Sequence, residues 1–190
     1  RRKLEKLIIC NVPHPGPLKK ALGRSFAQIV KFWYVLFFQI PRLPEFLLGL
    51  DSARAIGRIF VNSNENPDMF PPEVVDTFRK SASQPGALTA MLNYYRALFR
   101  GRKAVAERGM PIIEVPTLMI WGEEDVALTR ESTVGTEEYV SDFRIRYLPR
   151  VSHWVNQEAP VPVNAMIKAF LGGLPVPYVE WQMQLVESRD

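Results

Sequence analysis

Pro116-Thr-Leu-Met-Ile-Trp-Gly-Glu-Glu-Asp125, answered by Val151-Ser-His-Trp-Val-Asn-Gln-Glu-Ala-Pro160, carries most of the information in this chain. The apolar run Leu118 to Trp121 ends in a glycine and three acidic residues, so it reads as a buried strand that delivers Asp125 on the loop beyond its end. A second β-like segment, Phe143-Arg-Ile-Arg-Tyr-Leu148, precedes His153, which lies 28 positions after Asp125. An acid and an imidazole at the ends of successive strands are the two supporting members of a nucleophile–acid–base arrangement. Glu123 and Glu124 compete with Asp125 for the role of acid, and Asp125 is preferred.

Upstream of this pair, Leu7-Ile-Ile-Cys-Asn-Val12 is another β-like run, stopped by Pro13-His-Pro-Gly-Pro17, whose prolines cannot continue a ladder. From Leu18 the period turns helical. Leu18 to Gln39, Glu45 to Val61, Pro72 to Ser81 and Ala87 to Phe99 read as helices separated by Pro-rich or Asn-rich breaks. After Pro111 come the strand Thr117 to Trp121, a helix expected in the Glu131 to Val140 region, the strand Phe143 to Leu148 and a helix from Ala159 to Leu171. Strands alternating with helices on short links imply a parallel sheet covered on both faces. The expected division is a core strand and turn at 1–17, a helical insert at 18–110, the rest of the α/β core at 111–173 and a tail at 174–190 that extends beyond the core.

Composition fits a packed globular domain or a piece of one: 190 residues, 47% hydrophobic and 23% charged. The net charge of +4 is dispersed except at Arg1-Arg-Lys3 and Arg100-Gly-Arg-Lys103, too thin a basic footprint for nucleic acid. The one cysteine, Cys10, excludes an intrachain disulfide and reads as an inert strand thiol. Phe32-Trp-Tyr-Val-Leu-Phe-Phe38 falls well short of the roughly 20 residues that span a bilayer. It reads as a helix packed in protein, with a membrane-surface role for its basic neighbours left open, as are compartment and oligomeric state. Because the sequence opens on Arg1, directly before a strand, it is expected to start inside a longer polypeptide.

Five segments in order resemble the epoxide hydrolase branch of the α/β hydrolases across about residues 5 to 171. They are Asn11-Val-Pro-His-Pro15; Tyr34-Val-Leu-Phe-Phe-Gln-Ile-Pro41 with Pro44-Glu-Phe46; Ser83-Gln-Pro-Gly-Ala-Leu88 with Asn93-Tyr-Tyr-Arg96; Gly122-Glu-Glu-Asp125; and Ser152-His-Trp154. The resemblance implies the second half of an α/β-hydrolase parallel sheet with an inserted helical cap. It implies a small hydrophobic epoxide as substrate and no cofactor or metal. A carboxylate nucleophile opens the epoxide while cap tyrosines, here Tyr34 and Tyr95, donate to the developing alkoxide. His153 then activates water to hydrolyse the ester, held by Asp125. Tyr94 and Tyr95 point about 100° apart on a helix, and the family register favours Tyr95. Trp33, Phe38, Trp154 and His14 are expected to shape the pocket.

The departure is at the front: no Gly-x-Ser-x-Gly occurs, and no nucleophile elbow precedes Leu7. Gly49-Leu-Asp-Ser-Ala53 imitates an elbow around Asp51 but follows a helical segment inside the insert, so it is rejected. The chain alone is therefore expected to be inactive and, with an open sheet edge at Leu7 to Val12, poorly soluble. Two other readings stay in play. One is a haloalkane or haloacetate dehalogenase, kept alive by Trp33; the other is a hydrolase-like interaction module without catalysis.

Overall fold

A computed structural model describes residues 4–100 and 109–179. The basic run at 1–3, most of Arg100–Lys103 and the end of the tail fall outside the described residues. Three parallel strands, β1 (Leu7–Cys10), β2 (Thr117–Gly122) and β3 (Phe143–Leu148), form a sheet in the order β1-β2-β3. Leu7 is paired with Thr117 and Cys10 with Ile120, while Thr117 is paired with Phe143 and Gly122 with Leu148. Every residue of β2 is buried, which is why its sequence is an unbroken apolar run rather than an alternating one. Successive side chains enter opposite layers. Leu118, Ile120 and Leu148 pack with Val151, Val155, Val163, Met166 and Phe170 on one face. Met119 and Trp121 pack with Leu128, Phe32 and Tyr147 on the other.

Between β1 and β2 lies the helical insert, with α1 (Pro15–Arg24), α2 (Phe26–Lys31), α3 (Trp33–Phe37), α4 (Leu43–Asn62), α5 (Pro72–Ala82) and α6 (Ala87–Arg100). It has a small core of its own, Ala53, Ile56 and Ala82 with Leu48, Phe60 and Leu88 packed against it. After β3 come the short α7 (Val155–Glu158) and α8 (Pro160–Leu171). Among the described residues no helix is long and apolar enough to cross a membrane.

Several expectations change. The prolines that stop β1 also open α1, since Pro15 occupies its first turn and His14 caps it. The single helix expected over Leu18 to Gln39 is three, broken at Ser25 and Phe32. Ser25 has an extended backbone and caps α2 with its side chain, so the chain restarts there. No α-helix forms in the Glu131 to Val140 region. Two 3₁₀ turns, Arg130–Thr133 and Thr136–Glu138, flank Gly135 at φ 89°, a left-handed turn that prevents helical continuation.

The start of the tail belongs to the core. Val176 is buried, and the Arg146 guanidinium donates to the carbonyls of Val176 (2.7 Å) and Pro177 (3.1 Å) while lying over the Tyr178 ring. Asp51, Ser52 and Ala53 do adopt positive φ, as a nucleophile elbow would. They nevertheless kink α4 between two helical halves, and Asp51 is an exposed partner of Arg54, so the strand–turn–helix context is missing.

Gly122 ends β2 against the loop that carries His153. A Cβ there would lie 2.0 Å from the Ser152 carbonyl oxygen and 2.4 Å from that of Val151. Backbone atoms cannot swing aside as a side chain can. Gly122→Ala is therefore expected to push that loop off the sheet and lower stability by about 1–3 kcal/mol, measured as the midpoint and slope of denaturant unfolding; an unchanged midpoint contradicts the close approach.

Candidate active site

Asp125 is held by five groups. Its Oδ1 accepts from the backbone N–H groups of Ala127 (2.7 Å) and Leu128 (2.9 Å). Its Oδ2 accepts from Asn11 Nδ2 at 2.6 Å and lies 2.7 Å from His153 Nδ1. The Lys31 ammonium donates to its backbone carbonyl. Burial by itself pushes the Asp125 carboxyl up, but the hydrogen bond and charge of His153, with Asn11 and the Leu128 N–H, outweigh it and hold the group below the usual carboxylate value. An ionised Asp125 only accepts, so the shared proton sits on His153 Nδ1. Nε2 is then left as the basic nitrogen, with no protein partner among the described residues. The two neighbouring acids turn elsewhere: Glu123 pairs with Arg130 at 2.5 Å, and Glu124 is exposed.

Asn11 is the residue that sequence reasoning passed over as an actor. It sits at the end of β1 with φ 46° and 1% exposure. Its Nδ2 also reaches the Ser152 carbonyl at 3.3 Å, and its Oδ1 accepts from Gly122 N–H at 2.8 Å. One side chain thus ties the end of β1 to the end of β2, the acid and the histidine loop. The usable signal was an asparagine at a strand end before a Pro-rich turn, since Asn tolerates left-handed backbone.

Tyr34 on α3 and Tyr95 on α6 meet edge to face, ring centroids 5.7 Å apart, and Phe38 packs on both at 5.5 and 5.0 Å. Tyr94 is 71% exposed, so the 100° step along α6 turns it outward and Tyr95 inward. Arg96 fastens this corner. It grips Glu45 through two contacts of 2.6 and 3.0 Å and donates to the carbonyls of Phe38 and Ile40. The bond from Arg96 draws the Glu45 carboxyl below its ordinary value. Burial, followed by the charges of Tyr95 and Asp125, drives the Tyr34 phenol far above its usual range; burial and Tyr94 raise Tyr95. Both phenols are therefore protonated donors at any ordinary pH.

The remaining pocket candidates divide. Trp154 lies beside His153 (4.9 Å between rings) and Phe60 (4.3 Å), its indole N–H donating to Ser63 Oγ at 2.9 Å. Trp33 is 64% exposed, its ring tilted against Phe37 rather than Tyr34. His14 accepts from Gly16 N–H as the cap of α1 and stacks on Tyr139 at 4.3 Å, a structural engagement that its sequence context did not announce. Burial raises the Cys10 thiol, in keeping with an unreactive strand cysteine.

A parallel sheet that presents an acid and a histidine beyond the ends of adjacent strands, with a helical insert bearing tyrosines, defines an α/β hydrolase with a cap. The sequence is 38% identical to the AB hydrolase superfamily protein YfhM of Bacillus subtilis, over 88% of this chain and 57% of that protein. It is 34% identical to epoxide hydrolase 1 of Caenorhabditis elegans, over 88% of this chain and 42% of the relative. An epoxide hydrolase of Bacillus megaterium, crystallised with an inhibitor, has the same fold at a TM-score of 0.75 and 24% identity, covering 89% of this chain and 61% of the other. No protein-family model matches. The chain is similar to epoxide hydrolases and other α/β hydrolases over about 88% of its length and shares their fold, and it spans about half the length of the curated relatives it matches.

Proposed function

We propose that the full-length protein hydrolyses small hydrophobic epoxides to vicinal diols through an alkyl-enzyme ester, with His153, Asp125, Tyr34 and Tyr95 as its catalytic groups in this chain. The observation that carries this reading is an imidazole oriented by Asp125 in a chain whose insert brings two half-buried phenols together. A carboxylate nucleophile, supplied from outside these 190 residues, attacks an epoxide carbon; the ring C–O bond breaks and the oxygen takes a proton from Tyr34 or Tyr95. His153 Nε2 then removes a proton from water, the hydroxide adds to the ester carbonyl, and collapse, with the added hydroxyl's proton passing to the departing alkoxide, releases the diol and regenerates the carboxylate; the proton left on the imidazolium replaces the one the tyrosine gave up. Asp125 stabilises the imidazolium formed on the way. By this reading the chain alone lacks turnover.

A dehalogenase of the same fold stabilises a halide with Trp, His or Tyr donors in the cap. The Trp154 indole is already engaged with Ser63, and Trp33 faces outward, whereas the phenols suit an alkoxide. Full-length protein offered styrene oxide and, separately, a chlorinated or fluorinated acid is expected to yield diol from the first and no halide from the second. Halide release without diol reverses the choice. The interaction-module reading is supported if neither substrate is turned over and no nucleophile exists in the complete sequence.

A further inference from the structure

Asp125 and Glu158 are the deeply buried acids among the described residues, at 1% and 3% exposure, and only the first has a role in the chemistry above. Burying a carboxyl group carries a penalty of several kcal/mol unless donors meet it. Among the described residues Glu158 has no cationic partner. Its donors are instead arranged around His153: Oε2 accepts from the Ser152 N–H (3.1 Å), and Oε1 accepts from the Trp154 N–H (3.2 Å) and contacts Ser152 Oγ at 2.5 Å. The two backbone N–H groups flanking the histidine therefore end on one side chain.

The same Oε2 accepts from Glu65 N–H at 3.0 Å, just beyond the end of α4 in the cap. More bonds follow this path. Ser152 Oγ, whose single proton goes to either Glu158 or the Ser63 carbonyl, lies 2.6 Å from the latter, Asn66 Nδ2 donates to the Glu158 carbonyl at 3.3 Å, and Gln157 Nε2 donates to the Met69 carbonyl at 2.9 Å. The histidine loop is thus seated on the cap segment from Ser63 to Met69, with Glu158 at the centre.

We infer that Glu158 is a positioning residue for the hydrolytic half of the reaction: it clamps the backbone on both sides of His153 and fixes that clamp to the cap. This rests on the reading of His153 as the base. Attack by the nucleophile on the epoxide does not use the imidazole, so the two half-reactions should separate. In Glu158→Gln one end of the side chain becomes an amide N–H₂, which cannot accept from the donors it faces.

The test uses full-length protein with styrene oxide in single-turnover mass spectrometry, following ester formation and decay apart. For Glu158→Gln, ester formation at the wild-type rate and decay slowed about 100-fold are expected, as for a reacting group displaced by roughly 1 Å. The pH dependence of decay should shift with it. Unchanged decay, or both steps falling in parallel with the unfolding midpoint, overturns the proposal. Should the Gln variant not fold, Ser152→Ala, which removes only the hydroxyl arm, is expected to slow decay alone by about 10-fold, and wild-type decay there also overturns it. If the wild type forms no ester, the functional reading has failed, yet the clamp is still decided by the proton NMR signal of the His153 Nδ1–H bonded to Asp125: it should move or broaden away in Glu158→Gln, and an identical signal overturns it.

Discussion

His153→Ala in the full-length protein is expected to stop turnover after one equivalent of epoxide, leaving the nucleophile esterified and detectable as a mass adduct of the alkyl group. The cause is local. Water is a very weak acid, so without an acceptor for its proton the attack on the ester is slow. In the proposed mechanism His153 supplies that acceptor through Nε2, because Asp125, 2.7 Å from Nδ1 and kept ionised by His153 and Asn11 against its burial, fixes the tautomer. Loss of the base should slow ester hydrolysis by about 10,000-fold, while ester formation, which moves no proton through the imidazole, keeps its rate. Steady multiple turnover in this variant removes His153 from the mechanism.

Asp125 and His153 are legible in the amino-acid sequence because each follows a strand directly. β2 is legible because a strand buried on both faces needs apolar residues at every position, and Leu118 to Trp121 supplies them. The residues that hold the acid and the base are not. Asn11 reaches Asp125 across 114 positions and Glu158 reaches Glu65 across 93, and no local pattern encodes a partner so distant. The three-way division of Leu18 to Gln39 is hidden for another reason: Ser25 is a capping residue of a type that also occurs inside helices, Phe32 carries no local stop signal, and the segment packs against the loop after β2. Gln28, for example, is fully buried, its amide donating to the Ala127 carbonyl and accepting from the Thr129 N–H. The elbow-like Gly49 to Ala53 shows the converse, a motif with a positive φ but without the strand that gives it meaning.

Replacing both Tyr34 and Tyr95 by Phe should abolish the other half-reaction and spare hydrolysis. An alkoxide is a poor leaving group, and the two phenols are the donors packed together in the cap. Removing one donor to a developing oxyanion typically slows a step by about 100- to 1,000-fold. With one phenol gone the second still protonates the oxygen, so each single variant should retain slow alkylation, and the double variant should fall by about 10,000-fold or more. Phe preserves the rings that pack against Phe38 and each other, which separates loss of the proton from loss of shape. The pH dependence carries the same signature. Burial raises both phenols above the ordinary tyrosine value of about 10, so each stays protonated as pH climbs through that value, and wild-type ester formation should not decline there. Stopped-flow measurement of the alkylation phase between neutral and alkaline pH gives both quantities. A double variant that alkylates at the wild-type rate, or a wild-type rate that falls away at the ordinary tyrosine value, would move proton donation to another group.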